Sequence, residues 1–95
     1  MKIDPSWTYR LKPAIAIEDF GERSLALHCV DLRLVELNAA ARDIASGLDG
    51  RATLNQIALS MANGYDQPLE TILPDIKATI AQLTELGFVE RVYPE

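Results

Sequence analysis

His28 and Cys29 are adjacent, and they are the chain's only histidine and only cysteine. Together they are the one pairing that could supply a nucleophile and its base, which must lie within hydrogen-bond reach of each other. Both fall in a run that reads as a strand, Ser24 to Val30. Successive side chains on a strand point to opposite faces, so the two cannot form a dyad. The expectation is a half-buried histidine and a core cysteine, since a free cysteine commonly packs as a small hydrophobe. One of each residue also rules out a zinc site of four Cys and His ligands and a disulfide within the chain.

Other chemistry fails on spacing. Glu18 and Asp19 are paired carboxylates, but they sit in a polar stretch ending in Gly21 that suits a hairpin turn. The glycines at 21, 47, 50, 64 and 87 are scattered over turns and helix ends, not gathered into a phosphate-cradling loop. A carrier protein would need a serine, usually in Asp-Ser-Leu, for its phosphopantetheine arm. The only Ser-Leu is Ser24-Leu25, and Arg23 precedes it. An independent enzyme is therefore not expected, and no cofactor is expected. What remains is binding.

Charge narrows the partner. Nine Lys and Arg against fourteen Asp and Glu give a net charge of −5, with a pI near 4.7. A phosphate backbone calls for a basic patch, and residues 69–86 hold a single cation, Lys77. No apolar stretch of signal-peptide length follows Met-Lys-Ile-Asp-Pro, and no run approaches the ~20 residues of a membrane span. The default expectation is a cytoplasmic setting. With 95 residues, 48% of them hydrophobic, the chain is expected to form one domain over 1–95.

The elements that position these residues follow from periodicity. Residues 1–12, with Trp7 and Tyr9, read as an extended lead-in that docks aromatic side chains. Residues 13–37 read as three short strands: Ala14 to Ile17, Ser24 to Val30, and Leu32 to Leu37. In the second, Leu25, Leu27 and Cys29 share one face. In the third, Leu32, Leu34 and Glu36 oppose Arg33, Val35 and Leu37. Residues 38–87 read as helices. Leu37, Ala40, Ala41, Ile44 and Leu48 form one stripe behind an Asn38 cap, and Asp49-Gly50 ends it. Leu54, Ile57, Ala58 and Met61 form a second behind Thr53, with Asn63-Gly64 as its stop. Leu69, Ile72, Leu73, Ile76, Ile80 and Leu83 form a third; Pro74 either kinks it or marks the start of its regular part. Residues 88–95 read as a short extended tail. The expected class is α+β: a three-stranded antiparallel sheet followed by three helices, winged-helix-like in its last two helices and tail.

A third strand that is apolar on both faces needs cover on each side or lines a groove. At a sheet edge it could pair with an extended peptide.

The order of several pieces resembles the PqqD family. They are Leu34-Val35-Glu36-Leu37-Asn38 before the Ala-rich Ala39 to Ile44, then Asp49-Gly50 and Thr53, then Tyr65-Asp66, Asp75-Ile76 and Leu86-Gly87-Phe88-Val89-Glu90. The likeness covers roughly residues 13–91. It implies a small non-enzymatic peptide chaperone, also called a RiPP recognition element. Such a module binds the leader of a ribosomally made precursor peptide and presents it to a modifying enzyme. In pyrroloquinoline quinone biosynthesis that enzyme is a radical SAM protein. The leader adds as a strand beside the third strand, against the third helix.

On this chain the resemblance places the edge at Leu32, Arg33, Leu34, Val35 and Glu36. The facing helix would offer Ile76, Lys77, Ile80, Ala81 and Thr84. Leu34 and Ile80 would form apolar pockets, and Arg33 and Lys77 would meet acidic leader residues. One feature departs from the pattern. Members devoted to the quinone often carry a Pro-Glu-Gly-like turn before this strand, where this chain has Val30-Asp31-Leu32-Arg33. An adaptor of another modified-peptide pathway is the nearest alternative; a winged-helix nucleic-acid binder and a docking subunit of an unrelated enzyme are the others. The oligomeric state stays open, because an apolar strand edge can also pair with itself.

Overall fold

A computed structural model describes residues 2–93. The strands are β1 (Thr8–Leu11), β2 (Ile15–Phe20), β3 (Arg23–His28), β4 (Arg33–Leu37), β5 (Asp49–Thr53) and β6 (Val89–Val92). The helices are α1 (Ala39–Ser46), α2 (Leu54–Tyr65) and α3 (Leu69–Glu85). They build two antiparallel sheets of three strands, ordered β2-β3-β4 and β5-β1-β6.

The fold is α+β, but strands do not simply precede helices. The first sheet is the expected one. The second joins three segments far apart in the chain, none of which the sequence assigned to a sheet. The lead-in supplies β1, and the tail supplies β6. Residues 49–53, expected to be a helix end and the next cap, supply β5. Asp49 turns this segment by accepting the Arg51 and Ala52 amides at 2.8 and 2.9 Å. Strands of four and five residues carry too little alternation to be seen alone; β1 makes them visible by pairing Thr8 with Thr53 on one side and Tyr9 with Arg91 on the other.

One strand face also differs from expectation. Ala26 and Leu37 lie in the core, and half-buried Ile17 and Val35 pack against it. Cross-strand register puts these four on one face, with Ser24 and His28. Leu25 and Leu27 therefore sit on the outer face, and Cys29 lies beyond the strand and is exposed, not core. Leucines were the misleading signal: β3 turns its small Ala26 inward because α1 lies close against that face.

The helices follow their stripes with shifted ends. The Asn38 side chain accepts the Ala41 amide at 2.7 Å, and α1 stops at Gly47 rather than at Asp49-Gly50. A reciprocal capping box of Thr53 and Gln56 starts α2. Two more first-turn amides of α2, from Leu54 and Asn55, donate to the carbonyls of Trp7 and Pro5 at 3.0 and 2.8 Å. The lead-in therefore serves as a backbone cap. α2 continues through Gly64 and ends at Asp66 in the left-handed conformation. α3 runs through Pro74, which falls early enough that one lost backbone bond is tolerated. Phe88, Ile44, Leu54, Ile76, Ile80 and Val89 form the fully buried centre.

One ion pair bridges the first sheet and α1: Arg42 reaches Asp19 at 2.9 and 3.0 Å. Arg42, aided by the Ser24 hydroxyl, holds the Asp19 carboxyl down to about 2 from 3.8. A depressed folded-state pKa contributes stability above the unfolded value, and this is lost as pH falls toward the folded one. The Asp19 carboxyl should titrate near pH 2 by NMR, and Arg42→Gln should return it toward 3.8.

Candidate functional site

β4 has β3 on one side and, among the described residues, no ladder partner on the other. Its inward residues pin its register, because a slip of one position would expose Leu37. Its outward residues are left bare: Leu34 is 61% exposed, and Leu32 and Val30, in the preceding turn, are each 76% exposed. Half-buried Leu27 lies beside Leu34 on the same outer face. Glu36, also outward, reaches Arg23 at 3.8 Å. A bare edge flanked by exposed leucines is a template for pairing with another chain.

The turn before β4 is closed on His28. Its carbonyl accepts the Leu32 amide at 2.7 Å, and its Nδ1 accepts the Asp31 amide at 3.1 Å. This geometry forces Leu32 to φ +57°. Leu32 is thus in the turn, not in the strand where the sequence placed it. Arg33 starts β4 and anchors it to the end of α3. Its guanidinium donates to Asp31 at 3.1 Å and lies 5.6 Å from the centroid of the Phe88 ring.

α3 also walls a cleft that opens beyond the far end of β4. Asn38, the next residue, lines this cleft of about 520 Å³, whose α3 wall includes Asp75, Ala78, Thr79 and Gln82. Ile44, Met61 and Ile72 form its apolar floor. At its mouth the Tyr65 hydroxyl donates to Asp43, which pushes the phenol's pKa up. The cleft thus opens beyond the far end of β4, between α1, α2 and α3.

The helix face in that cleft is not the one the sequence proposed. Ile76 and Ile80 are 0% exposed and belong to the core. Lys77, Ala81 and Thr84, at i, i+4 and i+7, share the opposite flank, turned to the N-terminal segment. Asp4, held acidic chiefly by the Ser6 amide and hydroxyl, also feels Lys77. Thr84 lines a separate cleft with Lys2 and Tyr9. The α3 residues that wall this cleft are thus Asp75, Ala78, Thr79 and Gln82, while Ile80 is buried away from the exposed Leu34. The missed residues had a signal: 75, 78, 79 and 82 are themselves an i, i+3, i+4, i+7 stripe, of small and polar residues beside the apolar one. Among the described residues no three His, Cys, Asp or Glu side chains gather as a metal site would require, and no helix is long and apolar enough to cross a membrane.

Comparison with known proteins identifies the family and the fold. The family model for coenzyme PQQ synthesis protein D (PqqD) matches residues 26–89. No curated protein matches the sequence. Among solved structures, the PqqD truncation of PqqCD from Methylobacterium extorquens, described as a functional stand-alone RiPP recognition element, superposes with a TM-score of 0.80. It is 27% identical and covers 95% of this chain and 96% of its own. TbiB1 in complex with the TbiA(beta) leader peptide gives 0.77 at 17% identity, covering 90% and 99%. Lasso peptide synthetase B1 complexed with the leader peptide gives 0.76 at 22%, covering 86% and 96%.

The burial difference between Leu34 and Ile80 predicts opposite outcomes for the same substitution. Leu34→Asp should change unfolding free energy by less than about 1 kcal/mol. Ile80→Asp buries an unpaired carboxylate and should cost more than about 4 kcal/mol. Urea titration followed by circular dichroism measures both.

Proposed function

This chain belongs to the PqqD family, and on that premise we propose that it is a non-catalytic recognition module for the leader of a ribosomally made precursor peptide. The leader adds as a fourth strand along β4 and lies in the cleft against α3, where it is presented to a modifying enzyme. The observation that carries this reading is the bare edge of β4, flanked by exposed Leu34, with a cleft against α3 beyond its far end. Strand addition supplies main-chain hydrogen bonds, and alternate side chains supply selectivity. The solved leader-peptide complexes of similar fold support it.

In this reading Leu32, Arg33, Leu34, Val35 and Glu36 set the edge. Asp75, Ala78, Thr79 and Gln82 face the leader in place of Ile76 and Ile80. Arg33 meets an acidic leader residue near the exit of α3, and Asp75 favours a basic or polar one toward the other end. The enzyme served is of the radical SAM type, as in pyrroloquinoline quinone biosynthesis, or belongs to another modified-peptide pathway. The α2–α3 pair with β6 and its sheet is read as winged-helix-like, used for peptide rather than nucleic acid.

Leu32 supports the same assignment. A leucine at positive φ costs about 1–2 kcal/mol, and this one also exposes its side chain to water. Such a double cost fits a residue kept for contact with a ligand. Leu32→Gly should raise stability by about 1 kcal/mol in urea titration while weakening leader binding.

The direct test is capture of small peptides from the native host's lysate, followed by amide hydrogen exchange of the complex. Protection should fall on residues 33–37 and 75–82. Micromolar affinity is about −8 kcal/mol, and Leu34→Asp should weaken it at least tenfold. Binding that protects neither segment, or that survives Leu34→Asp unchanged, overturns the reading.

A further inference from the structure

The second sheet carries a site on the other flank of α3. Its helix-facing side runs Leu11, Tyr9, Trp7 along β1 and Val89, Arg91, Tyr93 along β6, with Tyr9 directly opposite Arg91. Tyr9 and Val89 are core. Arg91 stands where the core ends. Its guanidinium carbon lies 3.7 Å from the Trp7 ring centroid and 4.2 Å from that of Tyr93. Stacked on two rings, the guanidinium has chiefly its N–H rim left to offer. Its Nε is shielded from solvent and has no hydrogen-bond partner among the described residues. With Nε shielded and both rings stacked on it, the guanidinium meets a ligand through its terminal N–H groups.

The surroundings are cationic in an otherwise acidic chain. A cleft of about 430 Å³ beside Arg91 is lined by Lys2 and Lys12 as well as Tyr9 and Thr84. The acidic residue on its wall, Glu90, is held by Arg10 at 3.0 Å. The other nearby carboxylate, Asp4, takes the Ser6 amide and hydroxyl at 2.8 and 2.7 Å. Among the described residues β6 has only β1 as a ladder partner, so an extended segment can lie alongside. A flat guanidinium rim matches a carboxylate in two-pronged fashion.

We propose that Arg91, braced by Trp7 and Tyr93 and assisted by Lys2 and Lys12, is an anchoring site for a carboxylate side chain of an acidic peptide segment along β6. A net charge of −5 repels a long polyanion such as nucleic acid but tolerates a few carboxylates. The site shares no residue with the β4 edge and does not rest on that reading.

Trp7 is the chain's only tryptophan, and its contact with Arg91 makes its emission a built-in reporter. The probe is a synthetic peptide of alternating Glu and Val, with a Gln-Val peptide and inorganic phosphate as controls. The Glu-Val peptide should change Trp7 emission saturably, and more weakly as salt rises. Arg91→Gln should weaken binding about tenfold. Because Arg91 also packs the aromatic rings, Lys12→Gln is the second variant: it should weaken binding severalfold with its melting temperature unchanged. Leu34→Asp should bind as the parent does, which separates failure here from failure at the β4 edge. No saturable response, an equal response to Gln-Val, insensitivity to both Arg91→Gln and Lys12→Gln, or a site filled equally well by phosphate overturns the proposal.

Discussion

The turn at Gly87-Phe88 is the constraint on which the rest of the structure depends. Gly87 adopts φ +78°, a conformation that a side chain would resist. That reversal lets the Phe88 amide donate back to the Leu83 carbonyl at 2.9 Å, closing the end of α3. The Phe88 carbonyl accepts the Lys12 amide at 3.0 Å between β1 and β2. Its ring, 0% exposed, lies 5.9 Å from the His28 ring and beneath the Arg33 guanidinium. One residue thus joins the last helix, both sheets and the start of the edge strand.

This junction explains why β4 can stay bare. An edge strand with exposed leucines would invite slippage or self-association if only its sheet held it. Here it is pinned at one end by Arg33 on Phe88 and at the other by Asn38, which caps α1. Its inward residues Val35 and Leu37 pack against the core. The edge is therefore rigid and preorganised, which lowers the ordering cost when a strand is added. The turn at Leu32 concentrates the remaining strain beside the same edge.

α3 divides the molecule's binding surfaces. Its apolar stripe is consumed by the core. The flank of Asp75, Ala78, Thr79 and Gln82 opens on the β4 cleft, and the flank of Lys77, Ala81 and Thr84 looks to the N-terminal segment and the Arg91 cleft. The two flanks differ in charge, one carrying a carboxylate and the other cations. A peptide engaged on both would have to wrap around the helix, so each flank is suited to its own segment.

Much of this was legible in the residues. Stripe periodicity placed all three helices, Asn38 and Thr53 marked two of their starts, and the strands before them formed the expected sheet. The order of Leu-Asn, Asp-Gly and the Asp-aliphatic pair of the last helix carried the family resemblance over most of the chain. These are local matters of propensity, capping and period, which neighbouring residues decide among themselves. The second sheet was not legible, because β1, β5 and β6 are each too short to show a period and become strands only by pairing across the chain. The inward face of β3 was misjudged for a related reason: what faces the core depends on how closely α1 approaches, and that favours Ala26 over its larger neighbours. The helix face at the β4 cleft followed the same logic. Composition marks which α3 residues are apolar, but only packing decides that Ile76 and Ile80 are consumed by the core and that the polar stripe beside them is left facing the groove.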